Sequence, residues 1–123
     1  MTTGARAGVL IVEDDLDIGE VIRLTLEGEG FPAAVARDGR EAIAHLRAAG
    51  LPCLILLDLM MPVMDGWQFR AALRRDSAWA AIPVVVISAD GRVSQKAAAL
   101  DAAACLQKPI DLDLLLETVK RHC

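Results

Sequence analysis

Tyrosine is absent from this 123-residue chain, and two Phe and two Trp supply all of its aromatic rings. A base-stacking surface for single-stranded nucleic acid needs more rings than that. Positive charge is also scarce: 13 Lys and Arg face 17 Asp and Glu, a formal net charge of −4. Direct nucleic-acid binding is therefore not expected, because a phosphate backbone calls for a dense basic face. No apolar run approaches the roughly 20 residues of a membrane-spanning helix. Residues 1–7 hold no apolar signal-peptide core, so no membrane partner is expected. The cysteines Cys53, Cys105 and Cys123 are odd in number and widely spaced, with no Cys-x-x-Cys pair. That pattern argues against a disulfide scaffold or zinc site and predicts small apolar residues in a reducing cytoplasm.

What is present is apolar. Hydrophobic residues make up 54% of the chain and charged residues 24%, enough for one globular core. Short apolar runs at 9–12, 31–36, 54–57, 84–87 and 104–106 alternate with amphipathic stretches at 18–27, 40–49, 66–75, 93–100 and 112–121. Runs that are apolar throughout, rather than at every second position, belong to strands buried on both faces. Five strands alternating with five helices predict an α/β parallel sheet with right-handed crossovers and helices on both sides. The expected helix cores are Ile18, Val21, Ile22 and Leu26; Ile43 and Leu46; Trp67, Phe69 and Leu73; Leu112, Leu115, Leu116 and Val119. Asp17 with Glu20, and Asp65 with Gln68, have capping-box spacing, and Asp111 precedes the last helix as an N-cap. Residues 1–7 read as a flexible tail and 8–123 as one domain. The last helix closes the chain, so an output domain is expected on a separate polypeptide.

In an open parallel sheet, ligands bind beyond the carboxyl ends of the strands. Those ends carry Glu13-Asp14-Asp15, Asp58, Ser88 and Lys108-Pro109. Two carboxylates about 4 Å apart repel by roughly 4 kcal/mol at an effective dielectric of about 20. Glu13, Asp14 and Asp58 together thus require either a raised carboxyl pKa or a divalent cation. All-oxygen ligands that leave room for water suit Mg²⁺. A metal so held neutralises an incoming phosphate, Lys108 meets its oxygens, Ser88 hydrogen-bonds it, and Asp58 becomes a nucleophile forming an acyl phosphate. Each residue alone has a plainer explanation. An acidic run after a strand is commonly a solvated turn, an Asp closing a run a turn residue, Lys-Pro a turn with an exposed amine, and Ser88 a helix cap. Asp15 reads as structural, helping the turn into the first helix. The joint placement of the set at successive strand ends favours the chemical reading.

The segments Ile11-Val12-Glu13-Asp14-Asp15, Leu57-Asp58-Leu59-Met60-Met61-Pro62-Val63-Met64-Asp65-Gly66, Ile87-Ser88-Ala89 and Lys108-Pro109 resemble the receiver domain of bacterial two-component response regulators, in its stand-alone form. The resemblance implies a flavodoxin-like doubly wound sheet of strand order 2-1-3-4-5 with five helices. It implies that Asp58 is the phosphoacceptor, served by a histidine kinase or histidine phosphotransfer protein. It assigns Mg²⁺ to Asp14 directly, to Glu13 through water, to Asp58, and to the Met60 backbone carbonyl. Ser88 and Lys108 correspond to the residues that engage the phosphoryl group, and the peptide before Pro109 to a cis bond. Pro62 and Gly66 have conformational roles, and Trp67 reads as packing. Such a domain is not an enzyme in the ordinary sense, although it catalyses its own phosphorylation and a slow autodephosphorylation. Met60 and Asp90 occupy the positions that tune that decay. Cys105 stands at the switch position, where the family usually has Tyr or Phe, so the output route is expected to differ. A separate output protein and a phosphorylation-dependent dimer are the implied assemblies. Two other readings remain: a pseudo-receiver that only binds protein, and a haloacid-dehalogenase-like phosphatase. The latter needs a second Asp where this chain has Met60.

Overall fold

Aliphatic residues without a polar interruption build the centre of the molecule. Strands β1 (Val9–Val12), β3 (Leu54–Asp58) and β4 (Val84–Ser88) are buried at every position. With β2 (Ala33–Ala36) and β5 (Ala104–Gln107) they form one parallel sheet in the order β2-β1-β3-β4-β5. These relationships come from a computed structural model, which describes residues 8–59 and 64–123. The expected tail at 1–7 and the Met60 carbonyl lie outside the described residues.

Because side chains alternate across a strand, the sheet divides its apolar residues between two cores. Leu10, Val12, Ile55, Leu57, Val84 and Val86 face α2 (Gly39–Ala49), α3 (Gly66–Arg74) and α5 (Val93–Ala99) through Leu46, Phe69 and Val93. Val9, Ile11, Leu54, Leu56, Val85 and Ile87 face α1 (Leu16–Gly28) and α6 (Leu112–His122) through Ile22, Leu26, Leu115 and Val119. The second run starts as a strand only at Ala33, after Pro32, which has no N–H to give a ladder. Phe31 still packs into the α1/α6 core.

Six helices are present among the described residues rather than five. The additional one, α4 (Ser77–Ala80), is a single turn capped by Asp76 and too short for any periodicity to register. The first helix is capped by Asp15, whose carboxylate accepts from the N–H groups of Asp17 and Ile18, and not by Asp17. The Asp65–Gln68 capping box and the Asp111 cap form as expected. Three assigned core residues face outward: Val21 is 50% exposed, Trp67 41% and Leu112 38%. The two cores already close on Ile22 and Leu26 in α1 and on Phe69 and Leu73 in α3, leaving no sheet surface for a wider stripe.

A further correction concerns cysteine. Cys53, just before β3, and Cys123, at the end of α6, are disulfide-bonded with their Cα atoms 5.4 Å apart; Cys105 is free. Local spacing carries no information on a pair 70 residues apart in sequence. It is the antiparallel return of α6 over the sheet that brings them together. Buried Arg70 on α3 likewise donates to the carbonyls of Leu100 and Asp101, binding α3 to the C-terminal end of α5.

Candidate functional site

All five strands point their carboxyl ends to one rim. Glu13 leaves β1 with its N–H bonded to the Ala36 carbonyl, and its side chain is fully buried. Asp14 follows it into solvent. Asp58 ends β3 beside Ile87 of β4 and is 3% exposed. Ser88 ends β4, completely buried, and its Oγ accepts from the Asp90 N–H at 3.1 Å. Lys108 follows β5, with its N–H on the Ser88 carbonyl and a cis peptide to Pro109. Gly66 lets α3 begin against this rim, since a Cβ there would lie 2.9 Å from the Leu59 Cα.

The side chains converge. Lys108 Nζ lies 2.8 Å from Glu13 Oε1 and 3.5 Å from Asp58 Oδ2. Glu13 Oε1 is buried and has no well-aligned hydrogen bond, so the lysine serves it as a charge rather than as a directed donor. Burial works to lower the Lys108 amine, but contact with Glu13 and the charges of Asp58 and Glu13 outweigh it and hold the amine above its ordinary 10.5. One carboxylate oxygen each from Glu13, Asp14 and Asp58 can be chosen so that all three lie within 4.8 Å of one another. Three hard oxygen donors around one charge-crowded point, two of them from buried residues, match the donor set of a small divalent cation.

Glu13, Asp14, Asp58, Ser88 and Lys108 are thus brought to one cleft, and Asp90 lines its edge. Cys105 is not there. It pairs with Val86 in the β4–β5 register and packs, half-buried, against the α2/α3/α5 core. The assignment to Met60 falls outside the described residues. Lys96 was missed by the sequence reading. It also lines the cleft, with Nζ 2.8 Å from Asp90 Oδ2. That contact, and the N–H of Arg92 on Oδ1, hold the Asp90 carboxyl below its ordinary value. No helical or strand period joins residues six apart across a turn, so no sequence signal marked the pair.

The chain is similar in sequence and fold to known proteins. The response regulator receiver domain matches residues 9–120. The DNA-binding dual master transcriptional regulator RpaA of Synechocystis is 37% identical over 91% of this chain, and the response regulator MprA of Mycolicibacterium vanbaalenii 38% over 91%. The chain spans about half the length of these relatives, 47% and 48% respectively. An uncharacterized 14.6 kDa protein of Leptolyngbya boryana matches along its length, at 33% identity over the whole of this chain and 95% of that one. Among solved structures, the chemotaxis protein CheY4 of Vibrio cholerae superposes with a TM-score of 0.87 at 33% identity, covering 97% of this chain and 100% of that one. A response regulator receiver protein from Pseudomonas putida gives 0.88 at 30%, covering 97% and 99%. Sheet order, rim and sequence agree on one assignment: the chain belongs to the response regulator receiver domain family of two-component systems.

Proposed function

We propose that residues 8–123 form a phosphoacceptor domain that takes a phosphoryl group on Asp58 and thereby switches its affinity for a partner protein. The observation that carries the reading is the meeting of Asp58 with Lys108 and two further carboxylates at one rim. Glu13, Asp14 and Asp58 would hold Mg²⁺, joined by the Met60 carbonyl on the strength of the family resemblance. The ion would supply neutralisation of phosphoryl charge. An Asp58 carboxylate oxygen attacks the phosphorus of a phosphohistidine, the phosphorus–nitrogen bond breaks, and the imidazole keeps the electron pair. Lys108 then exchanges its contact with Glu13 for the new phosphoryl oxygens, and the Ser88 hydroxyl donates to another. Positioning and charge are sufficient for such a transfer.

The donor is a histidine kinase or histidine phosphotransfer protein. An apolar groove of about 300 Å³ beside Lys108, lined by Ile18, Val21, Ile22, Pro109, Ile110 and Leu112, supports docking at the mouth of the site. Output passes to an effector that senses the face changed by phosphorylation, and Cys105 sits where that change would pass. Among the described residues no helix is long and apolar enough to cross a membrane. The reading places the chain in the cytoplasm, where ATP supplies the kinase and where thiols act on the Cys53–Cys123 bridge. The experiment is intact-mass measurement after incubation with acetyl phosphate and Mg²⁺. Wild type gains one phosphoryl group and Asp58→Asn gains none. Equal gain in both, or none in wild type, ends the proposal.

A further inference from the structure

Lys96 lines the phosphoacceptor cleft, yet nothing in the reading above gives it a task. It stands in α5 and reaches back to Asp90, with Nζ 2.8 Å from Oδ2. The same Asp90 accepts from the Arg92 N–H at 2.7 Å through Oδ1, and its own N–H donates to Ser88 Oγ at 3.1 Å. A continuous polar chain therefore runs from Lys96 through Asp90 to the hydroxyl at the end of β4. Other anchors of this turn are weak. A Cβ at Gly91 would meet open space, and Arg92, the N-cap of α5, makes no side-chain capping bond.

We infer that Lys96 is a positioning residue: by holding the Asp90 carboxylate along the β4–α5 turn, it sets the lifetime of the phosphoryl group on Asp58. The inference rests on the phosphoacceptor reading and adds a regulator to it. In hydrolysis, a water oxygen joins phosphorus while the bond from phosphorus to the Asp58 carboxyl oxygen breaks, and that oxygen keeps the electron pair. The products are the Asp58 carboxylate and inorganic phosphate, and one water proton must pass to an acceptor. Asp90 lines the same cleft and is chemically suited to orient that water and take the proton. While its oxygens are occupied by Lys96 and the Arg92 N–H, it is held from that task. Its N–H meanwhile keeps Ser88 Oγ in place as an acceptor, leaving the hydroxyl proton for the phosphoryl oxygens.

The lysine side chain is 28% exposed and the aspartate 40%. A pair of this kind shifts an open–closed ratio by about two- to fivefold, and the lifetime should change by that factor. The test follows the decay of the phosphorylated full chain by intact mass after removal of acetyl phosphate, with Mg²⁺ held constant. Lys96→Gln is expected to decay about two- to fivefold faster than wild type. Lys96→Arg, which keeps the charge and reach, should decay at the wild-type rate. Lys96→Gln combined with Asp90→Asn should return to the wild-type rate, since the carboxylate is then gone. A Lys96→Gln protein that decays like wild type, or an acceleration that survives in the double variant or in Lys96→Arg, overturns the inference. Absence of any phosphoryl gain in wild type overturns the phosphoacceptor reading and this inference with it.

Discussion

The two rims of the sheet have opposite chemistry although the same five strands make both. At the carboxyl rim, buried Glu13, Asp58 and Ser88 meet one lysine, and like charges are held closer than they would choose to be. At the amino rim the Cys53 N–H bonds the Gly8 carbonyl, and a covalent bridge joins the start of β3 to the end of α6. One rim stores repulsion of the kind a divalent cation relieves. The other constrains the chain. Changes at the first should alter chemistry and can raise stability, whereas changes at the second should lower stability and spare the chemistry.

The largest stability effect is expected at the amino rim. The bridge closes a loop of 70 residues, and opening it by reduction or by Cys123→Ser should cost about 4 kcal/mol through the entropy restored to the unfolded chain. Urea titration with and without a dithiol measures this, and phosphoryl uptake by intact mass should stay at the wild-type level. Equal midpoints in both titrations would remove the contrast between the rims.

A smaller effect of opposite sign belongs to Asp14→Asn. Removing one of three crowded anions should stabilise the protein by about 1 kcal/mol. The thermal shift produced by added Mg²⁺ should shrink at the same time, because a donor has been lost. A destabilised variant, or an undiminished Mg²⁺ shift, would show that the carboxylates are not in tension.

The smallest effect is in pH dependence. The folded Lys108 amine is held above 10.5, so its contribution is complete below 10.5 and disappears as pH rises through the higher folded value. Denaturant titrations carried upward through that range should show a decline that is reduced in Lys108→Met. An identical decline in the two proteins would mean that the lysine is not held by Glu13 and Asp58.

Much of this was legible in the chain itself. The runs around Ile11, Leu56 and Val86 are apolar at every position because both faces of those strands are covered, and that pattern has no other economical explanation. Asp65 and Gln68 announce their helix since capping is local chemistry. Asp58, Ser88 and Lys108 were legible because polar residues closing apolar runs stand out and a parallel topology sends them to the same side. Val21, Trp67 and Leu112 were misassigned because periodicity states which residues share a helix face, not how wide a strip the sheet will cover. The Asp90–Lys96 contact depends on the path of a turn.

Composition and pattern by themselves determined the fold class and the cluster of acids opposite one lysine, since these follow from which residues prefer burial and which close a strand; the strand order came only from the family resemblance. Only the tertiary structure decided that Cys53 meets Cys123, that Asp15 rather than Asp17 caps α1, and that Lys96 turns back to Asp90. Each is a meeting set by the packing of helices or the course of a turn, and local preference in a chain does not encode such distances.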